Sequence, residues 1–141
     1  MASYHTSIEI DAPLERVWAE LMNIESYPTW NPLVKTIQGD LKEGNEIKIY
    51  IIPLKSNFKA KLTVFQPQKE MTWLGALGAS WIVCGEHYYR LEPKGNKTLL
   101  LHGEEFKGVL SYFIPPFITN MMKKTFEKHN QILKQRIENG K

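Results

Sequence analysis

The chain has 141 residues, of which 43% are hydrophobic and 23% are charged, so we expect one folded domain over residues 1–141 and no extended disorder. Its net charge of +3 comes from scattered lysines, without the basic and aromatic clusters that would indicate a nucleic-acid partner. No apolar run approaches the roughly 20 residues of a membrane span, so we expect a cytoplasmic protein without stable membrane insertion.

The first part of the chain predicts a strand followed by two short helices. Polar and apolar residues alternate over residues 6–10, which is typical of a strand with one buried face. Pro13 suits the first turn of a helix, and apolar residues follow it at helical spacing as far as Met22. A second brief helical turn is predicted near Glu25, before Pro32 forces the backbone to extend.

Six further strands are predicted after this point. Apolar and polar residues alternate there between short turns that are rich in glycine, proline and asparagine. Because the strands follow one another closely, an antiparallel meander is the economical topology. The predicted strands cover residues 33–38, 46–51, 58–64, 70–77, 81–91 and 98–106.

The last stretch, residues 115–141, predicts one long amphipathic helix. Apolar residues such as Ile118, Phe126 and Leu133 recur at helical spacing, and charged or amide side chains occupy the opposite face. A helix over residues 117–138 would span roughly 33 Å at a rise of about 1.5 Å per residue. That length crosses a whole sheet, so we expect the apolar face of the sheet to close on this helix.

Several segments carry a resemblance to a known family. They resemble the START-related (SRPBCC) ligand-binding superfamily, in its polyketide cyclase/dehydrase and lipid-transport branch. The segments are Ile8-Glu9-Ile10-Asp11-Ala12-Pro13, Val17-Trp18, Tyr27-Pro28-x-Trp30-Asn31-Pro32-x-Val34, Gly85-Glu86-His87-x-Tyr89-x-Leu91-Glu92-Pro93 and Glu104-x-Phe106-x-Gly108.

The resemblance implies an α+β fold of the helix-grip (Bet v 1/START-like) type. Such a fold has a curved seven-stranded antiparallel sheet, two short helices after the first strand and a long C-terminal helix. The superfamily uses it for lipid carriage, cyclisation, hormone sensing, quinone binding and chaperone regulation. Function must therefore be argued from the site.

A sheet that bends around one helix leaves a gap where the two cannot touch, and we expect that gap to bind a ligand. A single aliphatic residue facing inward is more simply explained as core, whereas large rings that carry a polar atom suit a ligand site. Alternation along the strands and the helix predicts the lining. The predicted lining residues are Phe58, Leu62, Met71, Trp73, Trp81, Val83, His87, Tyr89, Leu100, His102, Glu104, Phe106, Met121, Met122 and Phe126.

Three inward polar residues are predicted to meet. A hairpin that turns near residues 94–96 places His87 opposite either His102 or Glu104. Three interpretations remain open: a structural pair at the rim of the cavity, an anchor for a polar group of a ligand, or a proton relay in catalysis.

Metal and nucleophilic chemistry have little support in the sequence. It has no His-Glu-x-x-His, no phosphate loop and no Gly-x-Ser-x-Gly elbow. Its single cysteine, Cys84, provides neither a disulfide nor a cysteine metal site. We therefore expect no metal and no cofactor.

Three functions stay open at this point. The pattern favours a carrier or sensor of a small hydrophobic or amphipathic molecule, such as a lipid or a polyketide-like compound. The first alternative is a cyclase or dehydrase that uses His87, His102 or Glu104 on a hydrophobic substrate. The second is a protein-binding module, which would need an exposed apolar patch.

Overall fold

The computed structural model describes residues 3–77 and 83–140, with Leu77 and Val83 described by their backbone alone. Within it, seven strands form one antiparallel sheet in the order β1-β7-β6-β5-β4-β3-β2. The strands are β1 Ser3–Ile10, β2 Val34–Gln38, β3 Glu46–Ile51, β4 Ser56–Gln66, β5 Glu70–Leu77, β6 Val83–Lys94 and β7 Lys97–Lys107.

In the described part of the chain, three helices accompany the sheet: α1 Leu14–Met22, α2 Tyr27–Trp30 and α3 Pro116–Asn139. A 3₁₀ turn precedes α2, and a second one, Val109–Phe113, joins β7 to α3. Because β1 and β2 lie at opposite edges of the sheet, the segment with α1 and α2 has to cross from one edge to the other. This architecture confirms the predicted helix-grip fold.

Strand pairing brings the predicted polar residues onto one face of the sheet. His87 of β6 lies opposite Glu104 of β7 on one side and opposite Trp73 of β5 on the other. Two residues further along, Tyr89 lies opposite His102. Of the two residues predicted to lie opposite His87, Glu104 is the one that does, and both project toward the helix side, as alternation requires.

The C-terminal half of α3 is fixed to the sheet and to α1. Leu133 and Ile137 are buried there, and Arg136 donates to the Glu20 carboxylate of α1 at 2.8 Å. The Glu138 carboxylate accepts a hydrogen bond from the backbone N–H of Asp11 at 2.8 Å, just after β1 ends. These contacts set the position of the helix relative to the sheet.

One strand boundary and one turn differ from the sequence prediction in ways that matter for the site. Strand β1 begins at Ser3 rather than at residue 6, because residues 3–5 already pair with β7 as far as Glu105. The 3₁₀ turn Val109–Phe113 was not predicted, since its residues lack a regular apolar period. Trp81, the first residue of the predicted strand 81–91, falls outside the described residues.

Replacing Phe126 with alanine should lower the free energy of unfolding by about 3–5 kcal/mol. The ring is fully buried, stacks on His102 at 4.2 Å and meets Tyr4 edge-on at 4.9 Å. Urea unfolding measures the loss, with Phe117→Ala as the control, because Phe117 lies on the same helix and is 69% exposed. A loss below about 1 kcal/mol for Phe126→Ala would contradict this packing role.

Candidate functional site

A cavity of about 490 Å³ lies between the N-terminal half of α3 and the sheet. Ligand sites for small molecules commonly have about 300–1,000 Å³. Its walls are mainly apolar and come chiefly from β3, β4, β5 and β7 on one side and from α3 with the preceding turn on the other. The apolar side chains include Leu33, Ile49, Ile51, Leu54, Phe58, Ala60, Trp73, Phe106, Leu110, Phe113, Ile114, Ile118, Met122 and Phe126.

One part of the wall is polar, where Tyr4, His87 and Glu104 line the cavity. The Tyr4 hydroxyl donates to Oε1 of Glu104 at 3.1 Å. The other carboxyl oxygen, Oε2, lies over Gly85 so closely that a Cβ atom at that position would collide with it. Glycine at residue 85 therefore makes room for the carboxyl group of Glu104.

Burial raises the pKa of Glu104 to about 7, although the hydrogen bond from Tyr4 acts in the opposite direction. Burial, and then the charge of Glu104, raise the pKa of Tyr4 in turn, so the phenol keeps its proton. Near neutral pH both forms of Glu104 are populated. Its carboxyl group can therefore donate a hydrogen bond to a ligand or accept one from it.

Behind this polar wall, a chain of buried hydrogen bonds links the sheet to α3. Nε2 of His87 lies 2.8 Å from Nε2 of His102, and Nδ1 of His102 lies 2.8 Å from Oδ1 of Asn130. Nδ1 of His129 reaches the same oxygen at 3.1 Å, and its Nε2 lies 3.0 Å from the Tyr89 hydroxyl. The network thus joins β6, β7 and α3.

The network assigns the protons of the three imidazoles. Since an amide oxygen only accepts, His102 and His129 both donate to Asn130 through Nδ1. His102 then accepts at Nε2, so His87 donates from its Nε2 and carries a lone pair on Nδ1. That Nδ1 is buried and has no hydrogen-bond partner among the described residues.

The same burial keeps these rings neutral. Desolvation lowers the pKa of His87 and His102 well below the usual value, and it lowers that of His129 to about 4. A positive charge on one ring would also repel a positive charge on the next, and this repulsion further lowers the pKa of His87 and His102. When all three imidazoles are neutral, every hydrogen-bond donor assigned above has an acceptor.

The sequence matches the family described as polyketide cyclase/dehydrase and lipid transport over residues 1–138. The chain belongs to this family. No curated protein sequence matches it. The fold is shared with solved structures that have low sequence identity, so these establish the architecture alone.

Three of these structures have names that indicate their origin. Protein MLL2253 from Mesorhizobium loti has a TM-score of 0.76 at 14% identity, with 99% of each chain covered. A START superfamily protein from Mycobacterium smegmatis has a TM-score of 0.74 at 20% identity, also with 99% of each chain covered. CalU16 from Micromonospora echinospora has a TM-score of 0.68 at 18% identity, covering 96% of this chain and 73% of its own.

Within this family fold, the cavity collects part of the residue set that alternation indicated. The predicted residues that line it are Phe58, Trp73, His87, Glu104, Phe106, Met122 and Phe126. Two others, Trp81 and the side chain of Val83, lie outside the described residues.

The remaining predicted residues do not line the cavity. Met121 is 37% exposed on the outer face of α3, because neighbouring helical residues point about 100° apart and Met122 is the one that faces inward. The others face the correct side of the sheet but lie where the C-terminal half of α3 and the short helices cover it. These residues are Leu62, Met71, Tyr89, Leu100 and His102, all buried in the core.

Some residues of the site were not predicted from the sequence. Tyr4 would have followed from extending the alternation of β1 by two residues, since it precedes Thr6 by one strand period. Gly75 and Gly85 lie opposite each other on β5 and β6 and both line the cavity. A glycine in a strand signals close approach of another group, and that signal was available. Asn130 had no such signal.

Among the described residues, no group of three or more histidine, cysteine, aspartate or glutamate side chains is arranged to hold a metal ion. No helix in residues 3–77 or 83–140 has both the length and the apolar character needed to cross a membrane.

Acid should destabilise the fold through the buried histidines. Their folded pKa values lie below the ordinary 6.5, so the unfolded chain takes up protons below pH 6.5 while the folded chain does not. Their contribution is full above pH 6.5 and is lost as the pH falls toward 4, by up to about 1.4 kcal/mol per histidine and pH unit. Urea unfolding at pH 7.5, 6 and 5 measures this loss, and an unchanged free energy of unfolding would contradict it.

Glu104 should oppose this trend. Its folded pKa of about 7 exceeds the ordinary 4.5, so its contribution is full below pH 4.5 and is lost as the pH rises through 7. In Glu104→Gln, acid destabilisation between pH 7 and 4.5 should therefore be steeper than in the wild type. Glu105→Gln, one residue away on the other face of the sheet, serves as the control. Parallel profiles for Glu104→Gln and the wild type would show that this carboxyl group is not perturbed.

Proposed function

We propose that the chain is a cytoplasmic carrier or sensor that binds one small, mainly apolar molecule in the cavity between the sheet and α3. The observation that carries the proposal is the composition of the walls: apolar side chains surround a space of about 490 Å³, and one polar site interrupts them. Apolar ligand surface gains about 25 cal/mol for each Å² that such walls remove from water. Affinity would come mainly from this term.

The polar site would select the ligand's functional group. Glu104 and the Tyr4 hydroxyl are hydrogen bonded to each other at the cavity wall, and Glu104 has a pKa of about 7. A protonated Glu104 can donate to a carbonyl or carboxylate oxygen, and an ionised one can accept from a hydroxyl. We therefore propose a lipid or polyketide-like ligand whose single polar group carries oxygen.

Flexible side chains would let the cavity accept more than one ligand shape. Met122 lines it beside Ile118, and an unbranched thioether adapts its shape more readily than branched aliphatic residues do. Binding should therefore tolerate variation in the apolar body of the ligand more than variation in its polar group.

Filling the cavity should abolish ligand binding without unfolding the chain. Gly75 lines the cavity, and a Cβ atom there would meet its neighbours only at ordinary contact distances of 3.7 and 3.9 Å. Gly75→Leu should therefore fold and place its side chain in the ligand space. Binding is measured by the fluorescence of N-phenyl-1-naphthylamine, which increases in apolar surroundings.

We expect micromolar binding of this probe by the wild type and a loss of at least tenfold for Gly75→Leu. Gly75→Ala is the matched control and should stay within about threefold of the wild type, a difference below about 1 kcal/mol. Circular dichroism checks that both variants fold. Equal binding by Gly75→Leu and Gly75→Ala would show that the probe binds elsewhere.

A second candidate function is a cyclase or dehydrase activity at the same polar site, favoured by the pKa of Glu104. A general acid or base acts best when its pKa lies near the working pH. Ionised Glu104 could remove a proton from a methylene carbon between two carbonyl groups, and the carbanion would attack a further carbonyl of the same substrate to form a carbon–carbon bond and an alkoxide. The alkoxide would take that proton back from Glu104 and become a hydroxyl. Glu104 could then remove the second proton of the same carbon and pass it to the hydroxyl, which leaves as water while the carbon–carbon double bond forms.

Glu104→Gln separates the two candidate functions. If the chain is a carrier, this substitution should change affinity for oxygen-bearing ligands by about one hydrogen bond, roughly 0.5–1.5 kcal/mol. If it is an enzyme, incubation of the wild type with a linear poly-β-carbonyl compound should yield a cyclised product. Glu104→Gln should then lose turnover by at least 100-fold while it still binds the substrate. Absence of turnover by the wild type would remove the enzyme candidate.

A further inference from the structure

The cavity opens at a rim of exposed apolar side chains, which we call the mouth collar: Leu54, Val109, Leu110, Tyr112, Phe113 and Phe117. Phe113 is 77% exposed, and Tyr112 and Phe117 are each 69% exposed. Leu54, Leu110 and Phe113 also line the cavity, so the collar is continuous with its interior. Large exposed rings grouped in this way mark an interaction surface.

The charges beside the collar are basic. From residue 106 to residue 126 the sequence contains Lys107, Lys123 and Lys124 and no carboxylate. Lys123, Lys124 and Lys128 are exposed on α3 and form no ion pair within residues 3–77 and 83–140. The outer face of the helix therefore continues from an apolar start into a basic stretch.

One carboxylate, Glu127, is exposed on α3 among these lysines, so residues 123–128 carry three positive charges and one negative charge. The other carboxylates near this end, apart from Glu104 at the cavity wall, belong to the other face of the sheet. Glu86 and Glu105 pair across β6 and β7 at positions that alternate with His87 and Glu104, and Lys107 lies 4.0 Å from Glu86. They do not neutralise the lysines of α3.

The opposite end of the molecule carries charges of both signs. Residues 9–25, which end β1 and form α1, contain five carboxylates and one arginine. The register places Ile10 beside Thr98 and Ser3 beside Glu105, so β1 runs away from the collar. Glu9 and Glu20 are paired there with Lys97 and Arg136, whereas the three α3 lysines beside the collar form no ion pair among the described residues. Unpaired positive charge beside the collar attracts it toward a negative surface.

We propose that the mouth collar docks reversibly on the surface of an anionic lipid bilayer. Projecting rings insert into the region between headgroups and acyl chains, and nearby lysines bind the anionic headgroups. Tyr112 suits this interface because its ring is apolar and its hydroxyl stays in the hydrated headgroup layer. A protein partner would need a matching pocket for each projecting ring, whereas fluid lipid requires none.

In this docked orientation, the opening of the cavity faces the bilayer. Leu54, Leu110 and Phe113 would lie between the acyl chains and the interior, so an apolar molecule could pass between membrane and cavity without crossing water. The docking itself does not depend on what the cavity holds, and its test uses no cavity ligand. Its failure would leave the cavity proposal untouched.

Co-sedimentation with vesicles tests the proposal. The full chain is mixed with vesicles of phosphatidylcholine alone or with 30% phosphatidylglycerol, at 50 and 300 mM sodium chloride. We expect at least tenfold tighter binding to the anionic vesicles at low salt and a marked loss at high salt, because salt screens the lysines. The double substitution Phe113→Ser with Phe117→Ser should weaken this binding at least tenfold.

The charge contribution is tested by a matched pair of triple substitutions. Lys123→Glu, Lys124→Glu and Lys128→Glu together should weaken binding to anionic vesicles at least tenfold. Lys42→Glu, Lys69→Glu and Lys94→Glu make the same charge change in exposed loops and a hairpin at the far end, and should stay within twofold of the wild type. Melting curves check that each variant is folded.

Three results would overturn the proposal. The first is wild-type protein that binds neither kind of vesicle, which would leave the collar as a docking surface for a protein partner. The second is a serine double variant that binds as tightly as the wild type. The third is equal weakening by both triple substitutions, since net charge rather than the surface at the mouth would then govern the attraction.

Discussion

The site depends on the way the C-terminal half of α3 is held against β1, β6 and β7. Buried apolar residues such as Leu133 provide most of the contact, and the chain through Asn130 adds hydrogen bonds that fix the helix in one position. A helix held only by apolar contacts could shift by one turn along the sheet. With Asn130 bonded to His102 and to Thr6, its register is set, and its N-terminal half spans a space that the curved sheet does not fill.

The same anchoring explains why the polar wall has unusual chemistry. Close packing excludes water from the imidazoles behind the polar wall, and the apolar walls of the cavity reduce the hydration of Glu104, so the environment disfavours charge on all of them. The carboxyl group therefore titrates near neutrality, while the histidines stay neutral. Gly85 supports this arrangement, because a larger residue there would displace the carboxyl group from the cavity wall.

The sequence predicted nearly all of the fold but only part of the cavity lining. Apolar alternation identified each strand, and the helical period of the last stretch identified α3, because both patterns follow from burial of one face. Alternation gives the face of a residue and not its place along the sheet, so Tyr89 and His102 were assigned to the cavity although α3 covers them. The burial of Asn130 was not predicted, since it depends on contacts that only the tertiary structure creates.

Nuclear Overhauser effects between a bound ligand and the methionine methyl groups test the central claim, that a ligand occupies the space under the N-terminal half of α3. The wild type is labelled with ¹³C at its methionine methyl groups and mixed with dodecanoic acid. We expect contacts from the acyl chain to Met122, which lines the cavity, and none to Met71, which is buried in the core outside it. Contacts confined to the exposed Met121, or none to Met122 at saturating ligand, would contradict the account.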